Sequence, residues 1–395
     1  MPTESTRIRF GTDGWRAVIA DGFTFENLSR VAAATASWVT NTYGAGSTIV
    51  VGYDTRFLGE RFARRAAEVM ADAGHDIVLS TCFLPTPAVS WATKEYGAQA
   101  GVVITASHNP PEYNGFKIKG HFGGSALPEM VAAVEALVPA DPVGPAKESG
   151  RNRIEERDIR AEYVDMLRRR IDVEAITSSG IRVVHDAMYG AGQGVLSEVL
   201  GGDHVVELRS SRNPGFDGVP PEPIEKNLAG VGHVIRERSC DAAIANDGDA
   251  DRIGMFDEKG RFVDSHRLLS LLVDYLARDR ELGGRIVKTV STTDMLDRMA
   301  DELGLPIDTT PIGFKYIGER ILSEDVLVGG EESGGMAVKG HIPERDGLFI
   351  GLLILEMMAR RGRRLSFLVR DLHERYGEFG YVRSDVHLDP AEKDE

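Results

Sequence analysis

Short runs of apolar, often β-branched residues alternate along this chain with stretches in which apolar residues recur every three or four positions. The first pattern predicts buried strands, and the second predicts amphipathic helices. Thr48–Gly52 is a strand of this kind, and Phe62, Ala66 and Val69 mark the helix that follows it. Because such pairs recur, we expect α/β units in which helices cover mixed or parallel sheets.

The predicted elements form three successive groups. The first has a helix around Phe62, a second helix beginning near Pro87, and strands at Thr48–Gly52, Asp76–Ser80 and Gly101–Thr105. The second has helices at 190–200 and 225–238 and strands at Ile181–His185, His204–Leu208 and Asp241–Ala245. The third has helices at 266–279, 294–303 and 314–322 and strands at Arg285–Val290, Ile307–Thr310 and Val326–Val328, followed by a last helix around Leu365–Tyr376.

The architecture of these groups repeats, whereas their sequences do not. Pro, Gly and Ser in the segment 141–150 predict a linker, while the second boundary is less marked. We therefore expect three consecutive mixed α/β/α domains around a central cleft. Their predicted limits are 1–145, 146–258 and 259–375, with a polar stretch at 376–395.

Composition and charge narrow the possible functions. The 395 residues are 42% hydrophobic and 27% charged, as in ordinary soluble proteins, and no apolar run reaches the roughly 18 residues of a membrane helix. The net charge of −15 argues against nucleic acids and membranes as partners, and an anionic substrate would require basic residues gathered in one cleft. Cys82 and Cys240 lie far apart and outside any CxxC motif, which favours a reducing cytoplasm. A monomer and a dimer are equally compatible with the sequence.

Three polar loops follow predicted strands, one in each domain. Ligands of α/β proteins bind beyond the carboxyl ends of strands, so these loops can line one cleft. The first, Thr105–Pro110 (TASHNP), contains Ser107 beside His108, and Lys117 follows shortly after it. This loop is either a turn made of turn-forming residues or a serine nucleophile beside a histidine and a cation that steers phosphate or transfers protons.

The second loop, Asn246–Arg252 (NDGDADR), places carboxylates at alternate positions. Asp247, Asp249 and Asp251 would repel one another unless a cation neutralises them, and oxygen ligands suit Mg²⁺. An EF-hand is excluded because its sixth position, which requires glycine, is Arg252, and because a strand rather than a helix precedes the loop. The sequence favours a Mg²⁺ site over a solvated acidic turn, with Arg252 beside it as a phosphate contact.

The third loop, Gly329–Gly335 (GGEESGG), carries Glu331 and Ser333. Its glycines allow a ligand to approach the backbone, and its carboxylates can accept hydrogen bonds from sugar hydroxyls, although a flexible acidic turn has the same composition. Two further segments add cations. They are Phe10–Arg16 (FGTDGWR), which lacks the GK[ST] ending of a nucleotide-binding P-loop, and Pro311–Lys315 (PIGFK).

In this order, the segments FGTDGWR, TASHNP, NGFK, DGDADR, GFK and GEESGG resemble those of the α-D-phosphohexomutase superfamily, closest to bacterial-type phosphoglucomutases. The resemblance implies an enzyme that interconverts hexose 1-phosphate and hexose 6-phosphate through a phosphoserine and a hexose 1,6-bisphosphate. Glucose phosphates are the expected substrates, with glucose 1,6-bisphosphate as intermediate and activator, because the GEESGG loop is similar to that of phosphoglucomutases. Dual-specificity phosphomannomutases more often carry a histidine where this chain has Gly335.

The resemblance also implies individual roles. Ser107 is the phosphoserine, and one of its phosphate oxygens completes a Mg²⁺ site formed with Asp247, Asp249 and Asp251. The other implied catalytic residues are Arg16, His108, Lys117 and Lys315, of which the two lysines are candidate acids or bases. The implied substrate contacts are Arg252, Gly313, Glu331 and Ser333. A histidine that acts on the sugar would have to come from elsewhere, for which His341 is a candidate.

The superfamily has a fourth, C-terminal domain with a phosphate-binding loop of the type RxSGTEP, and this sequence contains no such segment. Residues 376–395 are therefore expected to be the stub of an absent fourth domain, either because the sequence is a truncated piece or because the protein lacks that domain. Since the missing loop would hold the phosphate that is not reacting, we expect this chain to bind Mg²⁺ but to turn over slowly. The alternatives are a phosphomannomutase or phosphoglucosamine mutase, and a catalytically weak relative with a binding role. A metal-dependent phosphatase fits the serine and the aspartates less well.

Overall fold

The computed structural model describes residues 8–11, 13–144 and 153–382, and these residues form three sheets. Each sheet combines parallel and antiparallel strand pairs, which confirms the prediction of consecutive mixed α/β domains. Within the described ranges, no helix is both long enough and apolar enough to cross a membrane. Cys82 and Cys240 are free thiols.

The first domain contains a seven-stranded sheet. Its elements are β1 (Trp15–Val18), α1 (Phe25–Tyr43), β2 (Thr48–Tyr53), α2 (Gly59–Asp72), β3 (Asp76–Ser80), α3 (Thr86–Glu95), β4 (Ala100–Ile104), β5 (Tyr113–Gly120), β6 (Gly124–Ser125), α4 (Pro128–Ala136) and β7 (Ile154–Arg157). The strand order is β1-β5-β4-β2-β3-β7, with β6 paired to β5. Strands β2, β3 and β4 run parallel, and β5 returns antiparallel to β4.

The second domain contains a five-stranded sheet. Its elements are α5 (Ile159–Arg170), α6 (Val173–Ser178), β8 (Val183–Asp186), α7 (Val195–Leu200), β9 (Val205–Leu208), α8 (Val231–Arg238), β10 (Ala242–Asn246), β11 (Ile253–Asp257) and β12 (Phe262–Val263). The strand order is β12-β11-β10-β8-β9. Strands β8, β9 and β10 run parallel, and β11 returns antiparallel to β10.

The third domain contains a four-stranded sheet. Its elements are α9 (Ser265–Arg278), β13 (Arg285–Thr289), α10 (Met295–Leu303), β14 (Ile307–Thr310), α11 (Phe314–Ser323), β15 (Val326–Gly330), β16 (Met336–Val338), α12 (Gly347–Arg361) and α13 (Leu365–Tyr376). The strand order is β14-β13-β15-β16. Strands β13, β14 and β15 run parallel, and β16 returns antiparallel to β15.

In each sheet, an antiparallel return strand follows a parallel strand, and a polar loop connects the two. We call these connections the serine loop (residues 105–112, between β4 and β5), the aspartate loop (247–252, between β10 and β11) and the glutamate loop (331–335, between β15 and β16). All three therefore occupy equivalent positions at the carboxyl ends of parallel strands, where ligands of α/β proteins bind. The sequence prediction that one such loop follows a strand in each domain is confirmed.

From strand pairing we propose that both domain boundaries lie further toward the C-terminus than the predicted limits. Strand β7 (Ile154–Arg157) lies beyond residue 145 but pairs with β3 of the first sheet, and β12 lies beyond residue 258 but pairs with β11 of the second. Backbone hydrogen bonds determine the sheet to which a segment belongs, and these bonds cannot be predicted from the Pro, Gly and Ser content of a linker. We propose boundaries after Arg157 and near Asp264. Of the predicted polar stretch 376–395, the structure describes residues up to 382, and 377–382 contain no helix or strand.

Two helices begin later than the hydrophobic pattern predicts. The helix predicted at 190–200 begins at Val195, because the preceding backbone packs against the aspartate loop: a Cβ atom on Gly190 would lie 2.7 Å from the carbonyl oxygen of Asp247. The helix predicted at 225–238 begins at Val231, after Gly230 with a φ of 91°. Apolar periodicity does not register such backbone geometry, so it does not locate these helix starts.

Helix α12 is absent from the predicted elements. Every residue from Gly347 to Met358 is buried, because the helix packs against α6 and β11 of the second domain and α9 of the third. A helix that is covered on all sides has no polar face and so loses the periodic pattern by which helices are recognised. The apolar contacts of α12 join the second and third domains into one core.

A buried ion pair joins the first and third domains. The ammonium of Lys119 on β5 lies 2.6 Å from the carboxylate of Glu344, and both side chains are fully buried. We expect Glu344→Gln to lower the free energy of unfolding by about 3–5 kcal/mol, because it leaves a buried ammonium without its counter-charge. Urea unfolding measures this loss. Glu156→Gln, which removes an exposed partner of Arg64, serves as the matched control and should change little; equal effects of the two changes would contradict the expectation.

Candidate active site

Ser107 lies in a tightly held turn. Its backbone is in the left-handed region, with a φ of 51°, and its N–H donates to Thr105 Oγ1 at 2.9 Å. The buried guanidinium of Arg56 donates to the carbonyl oxygen of Ser107 at 2.7 Å. A Cβ atom on Gly248 would lie 2.4 Å from that same oxygen, so glycine lets the aspartate loop approach the serine loop closely. A non-glycine residue with this φ is strained, which is typical of functional turns.

The hydroxyl of Ser107 faces the second domain. It donates to Asp247 Oδ2 at 2.6 Å and lies 3.4 Å from His108 Nδ1. Ser107 is 1% exposed, so the hydroxyl meets the carboxylate out of contact with water. The predicted proximity of the serine loop and the aspartate loop is therefore a feature of the structure.

Asp247, Asp249 and Asp251 form a fully buried group whose ligand oxygens lie within 4.8 Å of one another. Burial and the charges of Asp251 and Asp249 raise the pKa of Asp247 well above its usual value. One oxygen of Asp249 and one of Asp251, Oδ1 in each case, accept no hydrogen bond although they are buried. Buried, mutually repelling oxygens without donors match the requirements of a hard divalent cation, so the group fits Mg²⁺.

Lys117 lies within strand β5 and is buried among carboxylates. Its ammonium is 2.8 Å from Asp13, 2.9 Å from Asp249 and 3.3 Å from Asp251. Burial lowers the pKa of Lys117, but the three carboxylates outweigh burial and the pKa is raised. The side chain therefore holds its proton firmly. This environment favours charge balance as the role of Lys117, and the acid or base role that the resemblance implies stays a prediction.

A cleft of about 730 Å³ opens above this buried layer. It is lined by seven of the predicted site residues, Arg16, His108, Arg252, Gly313, Lys315, Glu331 and Ser333. Ser107, Lys117 and the three aspartates lie beneath it, so the structure brings all twelve predicted residues together. Arg9 and Arg345 add to the cations that line the cleft. The acidic chain thus gathers basic residues where an anionic substrate requires them.

His108 is electrostatically suited to remain neutral. Burial and the neighbouring cations Arg252 and Arg16 lower its pKa to about 2. Since the Ser107 hydroxyl donates to Asp247, the neutral imidazole can donate from Nδ1 to Ser107 Oγ, which lies 3.4 Å away. Arg16 itself donates to Asn109 Oδ1 at 2.6 Å, which fixes its position beside the serine loop.

The glutamate loop is joined to the aspartate loop through its backbone. Gly335 forms a β-bridge with Arg252, and the N–H of Ile253 donates to the carbonyl oxygen of Gly334 at 3.1 Å. Burial raises the pKa of Glu331, and Arg345 opposes this shift. Glu332 instead turns to its own domain, where it accepts from Ser291 at 2.6 Å. The loop therefore lines the cleft with Glu331, Glu332 and Ser333, of which Glu332 is held by Ser291.

Models of the phosphoglucomutase/phosphomannomutase family match the chain in three parts, namely α/β/α domain I at 7–142, domain II at 161–260 and domain III at 264–376. The chain belongs to this family. The family order of the three domains agrees with the order of the three sheets. Membership also confirms the resemblance that the six sequence motifs suggest.

Proteins similar to this chain are named for different hexose phosphates. A Thermococcus kodakarensis protein named phosphoglucomutase/phosphomannomutase is 33% identical, over 93% of this chain and 80% of its own. A Ruegeria phosphoglucosamine mutase is 31% identical, over 98% of this chain and 86% of its own. A solved structure from Thermus thermophilus, assigned as a phosphomannomutase, is 39% identical with a TM-score of 0.88, over 94% of this chain and 85% of its own. These names agree on phosphohexomutase chemistry and differ in the sugar.

His341, the candidate for a histidine that acts on the sugar, lies outside the lining of the cleft. Its Nε2 atom is 2.8 Å from Asp346 Oδ2, and its ring stacks on Phe349 at 3.9 Å. The ring packs against the start of α12, so the structure corrects this expectation and gives His341 a structural position.

Two charged residues of the site escape the sequence reasoning. Asp13 lies within the FGTDGWR motif and binds Lys117, and Arg345 follows β16 and reaches Asp13 at 2.7 Å. Asp13 has a sequence signal, because it lies in the same motif as the cation Arg16. Nothing in the local sequence around Arg345 distinguishes it from a surface arginine, because its partners lie in three different domains.

Proposed function

We propose that the protein interconverts hexose 1-phosphate and hexose 6-phosphate through a phosphorylated Ser107. The observation that carries this proposal is the position of the Ser107 hydroxyl, 2.6 Å from Asp247 in a buried acidic group and beneath a cleft lined by cations. A serine at a cation site can accept and return a phosphoryl group, and the cleft can hold a phosphosugar. Family membership supports the same reaction class.

Two phosphoryl transfers make up the proposed reaction. In the first, the free hydroxyl of the hexose phosphate attacks the phosphorus on Ser107, the bond between phosphorus and Oγ breaks, and the hydroxyl proton ends on Oγ. The products are a hexose 1,6-bisphosphate and an unmodified serine. In the second, Ser107 Oγ attacks the other phosphoryl group, the bond between that phosphorus and the sugar oxygen breaks, and the Oγ proton ends on that oxygen. This leaves the isomeric monophosphate and restores the phosphoserine. No phosphate is released to water in either transfer.

Asp247, Asp249 and Asp251 are the residues that would hold Mg²⁺. When bound there, the ion would supply positive charge beside the phosphoryl oxygens. The chain provides the remaining charge itself: Arg16, Arg252 and Lys315 line the cleft and bind phosphate. We assign charge balance to Lys117, and to the neutral imidazole of His108 a hydrogen bond that orients Ser107 Oγ.

Glucose phosphates are the first candidate substrates, because Glu331 and Ser333 of the GEESGG-type loop face the cleft with no side chain at Gly335. The second candidate is an amino or manno hexose phosphate. The names of two of the relatives favour it, since one is a phosphoglucosamine mutase and another is assigned as a phosphomannomutase. All of these substrates share one pyranose ring and two phosphorylation positions, so the chemistry at Ser107 is the same.

Coupled assays with glucose, mannose and glucosamine 1-phosphates, run with and without the corresponding 1,6-bisphosphate, test the proposal. We expect the 6-phosphate to form with at least one sugar, fastest with glucose, and almost no inorganic phosphate to appear. Stoichiometric release of inorganic phosphate would identify a phosphatase instead. Absence of any conversion, with or without the bisphosphate, would favour a binding role.

Glu331→Gln is expected to raise KM for the hexose phosphate roughly 10- to 100-fold, because hydrogen bonds from sugar hydroxyls to a carboxylate are stronger than those to an amide. Glu331 is 6% exposed, so water compensates little for the loss. Initial rates at varied substrate concentration measure the effect. Glu319→Gln, at an exposed position on α11, is the matched control; a KM for Glu331→Gln equal to that of the control would remove Glu331 from the sugar contacts.

A further inference from the structure

Arg345 contacts carboxylates from all three domains. Its Nη2 atom lies 2.7 Å from Asp13 of the first domain and 2.8 Å from Asp251 of the second, and its Nη1 atom lies 3.7 Å from Glu331 of the third. The side chain is 6% exposed and lines the cleft, and its guanidinium also lies over the ring of Phe314 at 5.2 Å. Arg345 therefore contacts the aspartate loop and the glutamate loop at the same time.

The geometry points to Arg345 as a positioning residue that couples the aspartate loop to the glutamate loop, and so makes the affinity for the divalent cation depend on the arrangement of the sugar site. This inference rests on the proposed function. It concerns a residue to which neither the sequence motifs nor the family resemblance assigns a role.

Arg345 helps to hold the carboxylate of Asp251 in its orientation. Arg345 and Lys117 both bind its Oδ2 atom, at 2.8 and 3.3 Å. Its Oδ1 atom is buried and accepts no hydrogen bond. Arg345 and Lys117, which both lie outside the aspartate loop, therefore hold Oδ2 and leave Oδ1 without a hydrogen-bond donor. Residues that orient a metal ligand by contacting its other atoms act in this way. Without the Arg345 contact, Lys117 at 3.3 Å from Oδ2 and the more distant Nε of Arg252, 3.9 Å from Oδ1, would remain beside this carboxylate.

Arg345 also packs closely against the glutamate loop. A Cβ atom on Gly335 would lie 2.4 Å from Arg345 Cδ and 3.3 Å from Glu331 Oε2. The aliphatic part of Arg345 thus fills the space that any side chain at position 335 would need. The arginine and the loop are fitted to each other, so a displacement of one displaces the other.

Charge and geometry can be separated at this position. Arg345 lies within 4.0 Å of four carboxylates, those of Asp13, Asp251, Glu331 and Glu344, which balance its charge. A lysine would keep the charge but lacks the planar fork that reaches two carboxylates in fixed directions. Arg345→Lys therefore removes the coupling without leaving uncompensated carboxylates. Gly335→Ala displaces the unaltered arginine from the other side.

Isothermal titration with MgCl₂ tests the inference without relying on turnover. We expect Arg345→Lys to bind Mg²⁺ roughly 10-fold more weakly than the unaltered chain, within the 10- to 100-fold range typical when a residue behind a metal ligand is changed. Gly335→Ala should shift the affinity in the same direction. In steady-state assays, both variants should also raise KM for the hexose phosphate, because Glu331 loses its partner.

Arg361→Lys is the matched control, since Arg361 binds Asp274 in the third domain away from the cleft. It should leave the Mg²⁺ affinity unchanged. An unchanged or tighter Mg²⁺ affinity in folded Arg345→Lys and Gly335→Ala, with normal binding by the unaltered chain, would overturn the inference and leave the proposed function intact. Failure of the unaltered chain to bind Mg²⁺ would overturn both.

Discussion

Ser107→Ala is expected to reduce hexose phosphate interconversion by about 10⁴-fold or more, because it removes the hydroxyl that meets Asp247 at the proposed metal site and that we propose carries the phosphoryl group. The intact mass of the unaltered chain should include one phosphoryl group after incubation with a hexose 1,6-bisphosphate, and this increment should be absent from the variant. Mass spectrometry and the coupled assay measure the two effects on the same samples.

The three aspartates remain in this variant, so its Mg²⁺ binding should persist. Ser178→Ala, at an exposed position near the end of α6, is the matched serine control and should keep both the phosphoryl group and the activity. A Ser107→Ala chain that retains a tenth of the activity, or that still gains one phosphoryl group, would show that another residue is the carrier.

Asp247→Asn is expected to have opposite effects on the metal-free and the metal-bound protein. Burial and the charges of Asp251 and Asp249 raise the pKa of Asp247, so a carboxylate is unfavourable at this position without the metal. The amide removes the repulsion, and the thermal midpoint of the metal-free protein should therefore stay the same or rise. With saturating Mg²⁺, the unaltered chain should gain about 2.7 kcal/mol at 100 times the dissociation constant, and the variant should gain almost nothing. Turnover should fall by roughly 10²- to 10³-fold.

Thermal unfolding with and without MgCl₂ measures the first two effects, and chelation followed by Mg²⁺ addition tests whether lost activity returns. Asp301→Asn, at an exposed position on α10, is the matched control and should preserve the Mg²⁺ response. The assignment of the metal site fails if Asp247→Asn keeps the full Mg²⁺-dependent rise in the thermal midpoint.

Local sequence patterns were sufficient for the parallel strands that lead into the three polar loops, but not for the return strands β5, β11 and β16 that follow those loops. The strands at Asp76–Ser80 and Ile307–Thr310 have the predicted limits, because a short apolar run between polar residues has few other ways to be buried. The start of α7 and the whole of α12 were not predictable in this way. One depends on the contact between Gly190 and the aspartate loop, and the other is covered on all sides by two domains.

The prediction for Lys117 shows where sequence reasoning stops within the site. Its position near the serine loop follows from the chain, since β5 begins soon after that loop ends. Its ionisation does not, because it depends on Asp13, Asp249 and Asp251, which come from two domains. Arg345 is the extreme case: its hydrogen-bond partner Asp13 lies 332 residues away along the chain.

The sequence by itself determined the α/β class and the three polar loops, because hydrophobic alternation and short motifs are properties of neighbouring residues. It also predicted, through the family resemblance of those motifs, the residues that we propose for phosphoryl and metal chemistry. The tertiary structure decided the charge state and the orientation of those side chains. Ser107 meets Asp247 across 140 residues, and Arg345 orients Asp251 from a third domain. Electrostatic energies depend on distance through space and on burial, and both arise only when the three domains pack around one cleft.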